Sequence, residues 1–356
     1  MSRYLAAVLL LLLIACTERS SVPVSQASDA TERGESSGDA HRGSNDDSSR
    51  GGSNESTTTK GTTDPAPAPV ACTNKTGSAG DTNITMSSGG RDREAILHAP
   101  PQYQATKPMP LVLVLHPLLL DHLKMREIAR VERFSDAGDG FLALFPNGID
   151  KSWNAGECCG TAKDEKVEDV RFIKELLAKV SETHCVDTTR IYSMGFSNGG
   201  FLSHRLACDL GDTIRAIAPV AGTLGIPEAD CARTTPLPVF AIHGTDDELV
   251  PYEGGPPKAL HGIFESFGTF QAPTATDAFW AKHNGLPETT VQGFEQGEVS
   301  CKRHDGKAPV TLCTVEGGGH QWPGSDSLLL LATMGHMTKD IDATAAAVAF
   351  FHEQGL

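Results

Sequence analysis

Two uninterrupted apolar runs, Leu111-Val112-Leu113-Val114-Leu115 and Phe141-Leu142-Ala143-Leu144-Phe145, predict strands covered on both faces. A strand with one wet face would alternate instead. The second run stops at Pro146-Asn147-Gly148, a turn signal. Between the runs, Leu123, Ile128, Val131 and Phe134 recur at roughly helical spacing, which predicts a helix over about 122–137. Val170, Ile173, Leu176, Leu177 and Val180 outline a second helix. Arg190-Ile191-Tyr192-Ser193-Met194 reads as a strand, 201–207 as a helix and 214–220 mostly as a strand. Pro238-Val239-Phe240-Ala241-Ile242-His243 is the next strand, with helices expected near 276–283 and 341–352. Strands alternating with helices predict an α/β fold, a mostly parallel central sheet with helices on both faces.

The first seventy residues follow different rules. Met1-Ser2-Arg3-Tyr4 precedes an apolar run over 5–15 that is too short to span a bilayer. It ends Leu13-Ile14-Ala15-Cys16, a small residue directly before a cysteine, and so resembles a bacterial lipoprotein signal. That resemblance implies lipidation of Cys16 and, with Thr17 rather than Asp after it, sorting to the outer membrane. A plain secretory peptide is the competing reading. Residues 17–70 hold no Phe, Tyr or Trp and end in Asp64-Pro65-Ala66-Pro67-Ala68-Pro69. Such a segment cannot bury enough surface to offset its ordering entropy. The expected organisation is a signal over 1–16, a disordered tether over 17–70 and a folded domain over 71–356.

Charge and cysteines narrow the setting. With 30 Lys and Arg against 45 Asp and Glu, the net charge of −15 makes the chain a poor partner for nucleic acid. Of nine cysteines, eight remain after Cys16, an even number that predicts disulfides in an exported chain. Cys301 and Cys313 flank Asp305-Gly306, as in a hairpin whose strands could be bridged, and Cys208 with Cys231 is a second pairing. Spacing leaves Cys72, Cys158, Cys159 and Cys185 open, with free thiols as the alternative. No C-x-x-C pair occurs, which disfavours thioredoxin chemistry and structural zinc.

Gly195-Phe196-Ser197-Asn198-Gly199 is a G-x-S-x-G set between a predicted strand and a predicted helix, the context of a nucleophile elbow. A serine there projects at the strand end, with a helix N-terminus favouring developing negative charge. The backbone N–H of Asn198 is one expected oxyanion donor. The hydroxyl needs a base, and the base an orienting carboxylate, which an α/β-hydrolase supplies later in the order Ser, acid, His. Asp246, Asp247 and Glu248 compete for the acid, just beyond the strand ending at His243. His320 is the candidate base, after the glycines of Gly317-Gly318-Gly319; His304 and His336 are the alternatives.

Four segments together resemble the extracellular polyhydroxybutyrate-depolymerase-like esterases, related to bacterial feruloyl and acetylxylan esterases. They are Ser152-Trp153-Asn154-Ala155-Gly156 with Cys158-Cys159-Gly160, the Gly195–Gly200 turn, the segment from His243 to Tyr252, and Gly317-Gly318-Gly319-His320-Gln321-Trp322-Pro323-Gly324. The resemblance covers roughly 80–350 and implies an α/β-hydrolase with a Ser197, Asp247, His320 triad, the pattern H-G-T-x-D placing the acid on Asp247. It implies further that Trp153 and Trp322 lie near the active-site mouth, where they are expected to bind substrate with Leu119, and that Asp169 fills a structural acidic position.

The chain departs from that family at Leu115-His116-Pro117-Leu118-Leu119-Leu120, where relatives read Leu-His-Gly. Proline has no N–H to give, so the second oxyanion donor is expected at Leu118. The three leucines either widen an apolar binding surface, with Leu119 touching substrate, or pack inward. The implied chemistry is acyl transfer to water through an acyl-enzyme, with no metal or organic cofactor. The implied substrates are short-chain polyesters, hydroxycinnamoyl esters or acetyl esters, with aromatic polyesters within reach. The implied site of action is the bacterial cell envelope, with Cys16 holding the chain to a membrane. A serine peptidase on the same fold and a catalytically silent surface-binding lipoprotein are the competing functions.

Overall fold

In a computed structural model, residues 72–258, 268–327 and 334–356 are described. The signal, Cys16 and the tether expected over 17–70 lie outside these residues. Ten strands run in chain order: β1 (Gly80–Ser88), β2 (Arg91–Ala99), β3 (Met109–Leu115), β4 (Leu142–Pro146), β5 (Val186–Phe196), β6 (Ala216–Val220), β7 (Val239–Gly244), β8 (Val291–Gln296), β9 (Val299–His304) and β10 (Val310–Val315). They form one sheet in the order β1-β2-β4-β3-β5-β6-β7-β10-β9-β8. The six central strands, from β4 to β10, are mutually parallel. The pairs at both ends are antiparallel.

The helices that matter here are α1 (His122–Ala129), α2 (Asp169–Thr183), α3 (Asn198–Asp209), α4 (Pro273–His283) and α5 (Ala343–Glu353). They explain the unbroken apolar runs. Along β3, Leu111, Leu113 and Leu115 enter one core with Phe172 and Leu176 of α2, Phe201 of α3 and Trp280 of α4. Val112 and Val114 point the other way, into a core with Met125 and Ile128 of α1 and Phe350 and Phe351 of α5. Both faces are covered, so alternate residues are equally apolar. This is the expected α/β-hydrolase architecture. Among the described residues no helix is long and apolar enough to cross a membrane.

Two departures from the sequence pattern have physical causes, and the cysteine expectation holds. The helix expected over 122–137 is broken: Arg130 adopts φ 45°, α1 ends there, and a short turn at Glu132–Ser135 follows. Its counted residue Leu123 is 55% exposed, and Met125 takes the inward place instead. The β1–β2 hairpin has no apolar run to announce it. β1 alternates between exposed and partly buried positions, and its turn is Gly89-Gly90, both at positive φ. All eight described cysteines are paired: Cys72–Cys185, Cys158–Cys159, Cys208–Cys231 and Cys301–Cys313. The last pair sits in direct register across β9 and β10, as the hairpin reading requires.

Candidate active site

The strand registers bring the candidate residues to one edge of the sheet. Leu115 pairs with Gly195, Phe196 with Val220, Val220 with Ile242, and Gly244 with Val315. The C-terminal ends of β3, β5, β7 and β10 are therefore aligned, and the residues that follow them share that edge. Open α/β sheets place their ligand crevices there.

Ser197 follows β5 directly and holds φ 54° and ψ −120° before α3 begins at Asn198. The turn is tight enough to forbid side chains at its glycines. A Cβ at Gly195 would lie 2.3 Å from the Gly199 carbonyl oxygen, and one at Gly199 would lie 2.3 Å from that of Leu115. The Ser197 N–H is bound to the Val220 carbonyl at 2.8 Å, and the Ser197 carbonyl accepts the Phe201 N–H at 2.9 Å. The hydroxyl thus sits at the N-terminus of a twelve-residue helix.

Burial distinguishes the three candidate carboxylates. Asp246 and Glu248 are exposed, whereas Asp247 is buried. Asp247 Oδ1 accepts the N–H groups of Leu249 and Val250 at 2.9 and 2.8 Å. Its Oδ2 accepts His320 Nδ1–H at 2.7 Å, with His243 Nε2 at 3.4 Å. Burial pushes the Asp247 carboxyl up, but the His320 and His243 rings outweigh it and hold the group well below the usual carboxylate range. The carboxylate fixes the imidazole tautomer: Nδ1 carries the proton and Nε2 is left to accept one. The His320 ring stacks on Phe196, next to Ser197, with centroids 5.1 Å apart.

The Gly317–Gly319 approach is close-packed. A Cβ at Gly319 would lie 2.3 Å from the Met334 carbonyl oxygen, and the Gly318 carbonyl accepts the Asp246 N–H at 2.9 Å. The alternative histidines are placed elsewhere. His304 pairs in register with Val310, at the opposite end of β10, and bonds to Asp277 and the Pro287 carbonyl. The exposed His336 ring pairs with Glu298.

The loop after β3 keeps the expected donor available. Among the described residues the Leu118 N–H meets no acceptor, while Leu119 N–H donates to the Lys151 carbonyl at 2.9 Å. The three leucines differ in burial. Leu118 and Leu120 pack against opposite cores, and Leu119, at φ 67°, is 36% exposed.

The structure corrects the two tryptophans. Trp153 and Trp322 are 0% and 1% exposed, so neither has a surface to offer substrate. Trp153 Nε1–H donates to the His116 carbonyl at 3.0 Å, and Trp322 Nε1–H donates to Thr344 Oγ1 at 3.1 Å. Both are spent on the scaffold.

A family model, that of the dienelactone hydrolase family, matches residues 95–283, more than half of the chain. The chain belongs to the dienelactone hydrolase family. The match takes in Ser197 and Asp247 and ends before His320. This family member is 31% identical over 239 residues to feruloyl esterase B of Piromyces equi, covering 64% of this chain and 42% of that protein. It is 28% identical over 275 residues to the putative esterase NocK of Nocardia uniformis subsp. tsuyamanensis, covering 73% of this chain and 79% of the relative. Acetyl xylan esterase from Aspergillus awamori shares the fold at a TM-score of 0.51 and 14% identity, over 68% of this chain and 94% of that one.

Sequence reasoning did not give roles to Arg93, His116 or the Asn198 side chain, because nothing local marks them. Arg93 and Asp169 form a buried ion pair at 2.7 Å, and the Arg93 guanidinium lies 3.7 Å over the Phe172 ring. Asp169 also accepts the Asn154 N–H at 2.8 Å, which ties the 152–156 segment to the start of α2. Burial raises the Asp169 carboxyl, against the pull of Arg93. Burial lowers His116 to about 4, so the ring is neutral near pH 7. Its Nε2 accepts the Gly148 N–H at 2.8 Å, and its Nδ1–H donates to the Pro117 carbonyl at 2.9 Å.

Proposed function

We propose that this domain is a serine carboxylic-ester hydrolase that works through an acyl-enzyme. The observation that carries the reading is the buried Asp247–His320 hydrogen bond of 2.7 Å, on the same sheet edge as the Ser197 turn. In this reading His320 Nε2 takes the Ser197 proton as Oγ attacks the ester carbonyl. Asp247 holds the ring tautomer and stabilises the imidazolium. The N–H groups of Asn198 and Leu118 receive the oxyanion. His320 then protonates the leaving alcohol and, in the second half, activates the water that releases the acid.

The substrate class follows the relatives' names and the sequence resemblance: hydroxycinnamoyl, short-chain acyl or polyester-type esters, as in polyhydroxybutyrate-depolymerase-like enzymes. Leu119 is the apolar side chain exposed beside the proposed Leu118 donor and is the proposed substrate contact. Four disulfides fit an oxidising compartment. With the Ala15-Cys16 signal they support an exported enzyme, lipid-anchored through Cys16 at the bacterial cell envelope, its sorting pattern that of the outer membrane.

The test compares the purified protein with Ser197→Ala on p-nitrophenyl butyrate, methyl ferulate, acetylated xylan and amorphous polyhydroxybutyrate. The expected result is a burst of p-nitrophenol from the parent and a loss of about 10⁶-fold in kcat in the variant. Retained turnover in Ser197→Ala would refute the nucleophile. Among methyl ferulate, acetylated xylan and amorphous polyhydroxybutyrate, the one hydrolysed fastest names the substrate class, whereas activity on p-nitrophenyl butyrate alone confirms only the serine chemistry.

A further inference from the structure

The Asn198 side chain is fully buried and bonds to nothing in its own helix. Its Oδ1 accepts the Trp153 N–H at 2.7 Å, and its Nδ2–H donates to the Trp153 carbonyl at 3.0 Å. The amide therefore pairs with both polar groups of one residue, 45 positions earlier in the chain, as a neighbouring strand would. The remaining Nδ2 hydrogen is directed at Cys158 Sγ, 3.5 Å away. A buried amide satisfied on both ends has one orientation, and so does the backbone it holds.

The chain of bonds continues to the other side of the site. The Trp153 indole N–H reaches the His116 carbonyl at 3.0 Å, and the two rings lie 4.6 Å apart. His116 is the last residue before the Pro117–Leu118 peptide. Beyond that peptide, Leu119 N–H is bound to Lys151. The Leu118 N–H is thus bracketed by a bond to Trp153 on one side and one to Lys151 on the other. Pro117 contributes no N–H of its own; its carbonyl takes the His116 Nδ1–H at 2.9 Å and the Leu120 N–H at 3.4 Å, and the ties to Trp153 and Lys151 hold the chain on either side of that peptide.

On the proposed reading, the N–H groups of Asn198 and Leu118 must both point at one oxygen. We infer that the Asn198 side chain is a positioning residue that sets the spacing between these two donors, acting through Trp153 and the His116 carbonyl. One residue thus carries a donor on its backbone and, in its side chain, the brace for the other. Trp153 is buried because it is the link in this brace. The inference rests on the assignment of Ser197 as nucleophile and of these two amides as the oxyanion hole.

Oxyanion donors act at 2.7–3.1 Å, and a misplacement of about 1 Å costs on the order of 10²-fold. Asn198→Ala keeps the backbone N–H and removes the brace. Trp153→Phe keeps an aromatic ring and the main-chain groups that bond Asn198, and removes the bond to His116 together with part of the buried indole. Each is assayed in the full chain by kcat and KM on p-nitrophenyl butyrate, by inhibition with a trifluoromethyl ketone that mimics the tetrahedral adduct, and by inhibition with the product butyrate. The expected result for Asn198→Ala is a kcat lower by about 10- to 100-fold with KM within about twofold. Ketone affinity should weaken by the same factor, with butyrate affinity unchanged. Trp153→Phe should move the same way by less, and the double variant should lose less than the product of the two.

A folded Asn198→Ala with parental kcat, a loss confined to KM, or equal losses for ketone and butyrate would overturn the inference. If Asn198→Ala does not fold, Trp153→Phe decides alone: parental kcat refutes the brace, and lower kcat at unchanged KM supports it. Ser197→Ala separates the two levels. If it stays active, the site assignment fails. If it is inactive while Asn198→Ala keeps parental kcat, only the brace fails.

Discussion

Asp247 and His320 meet side chain to side chain, whereas Ser197, Asn198 and Leu118 are related through backbone held in place by other residues. The proposed acid–base half needs particular functional groups at the ends of β7 and β10, and little else can substitute for them. The proposed oxyanion half needs only two peptide N–H groups, which every residue except proline carries. What that half demands is a path for the chain. The path is fixed at a distance by Asn198, Trp153 and His116, and by the Lys151 carbonyl. Substitutions in the first half should fail by chemistry, and those in the second by geometry.

The sharpest break between the halves is Asp247→Asn. The variant keeps shape and burial, but an amide does not fix His320 with its proton on Nδ1. Loss of the orienting carboxylate in such a triad costs about 10⁴ in kcat. We expect a loss of that size with KM little changed, measured on p-nitrophenyl butyrate. Asp246→Asn, on the exposed neighbour, should leave kcat within about twofold. A comparable loss in both variants would remove the distinction that burial draws between the two carboxylates.

This contrast also governs what could be read from the sequence. The acid–base half is legible because its chemistry lies in residue identity: Asp247 and His320 stand in motifs, after strands that apolar runs mark. The choice among Asp246, Asp247 and Glu248 needed the family pattern, since local spacing does not say which carboxylate turns inward. The brace is not legible. Asn198 was expected to act through its N–H, and Trp153 was expected to bind substrate at the active-site mouth, because a tryptophan beside a turn looks the same whether it meets solvent or a buried carbonyl. The β1–β2 hairpin escaped for a related reason: its stability comes from pairing and partial burial rather than from an apolar run.

Acid should separate the halves a second way. Burial lowers His116 to about 4 from an ordinary 6.5, so the unfolded chain binds a proton between those values that the native ring refuses. The stability from this neutral ring is whole above pH 6.5 and is lost as pH falls toward 4. A shift of that size is worth about 3 kcal/mol. His204, lowered by burial to about 3, adds in the same direction over a window that reaches down to about pH 3. Asp247 is also depressed, but from a carboxylate value, so its contribution is lost only below about pH 4. Urea unfolding should therefore show the His116 and His204 contribution level between pH 7.5 and 6.5 and falling from there to pH 4.5. His98, where burial is outweighed by hydrogen bonds to Asp136 and Asp81 that raise the ring, works the other way. The His116 share is therefore the part of the slope that His116→Gln removes, and an unchanged slope in that variant would mean that the ring is not held neutral.

The smallest expected effect is at the rim of the oxyanion half. Leu119 combines an exposed side chain with φ 67°, a conformation that a branched aliphatic residue adopts at a cost and that asparagine tolerates better. Leu119→Asn should leave the fold at least as stable, since no core contact is lost and the backbone is relieved. It should also leave the Leu118 N–H in place, because the Lys151 bond belongs to the Leu119 main chain. What changes is apolar contact with the acyl group, worth about 0.8 kcal/mol per buried methylene. We expect kcat/KM to fall about three- to tenfold on p-nitrophenyl octanoate and little on the acetate, at unchanged thermal stability. Equal losses on both esters would mean that the substitution had moved the donor, and that the rim and the oxyanion hole are mechanically one piece.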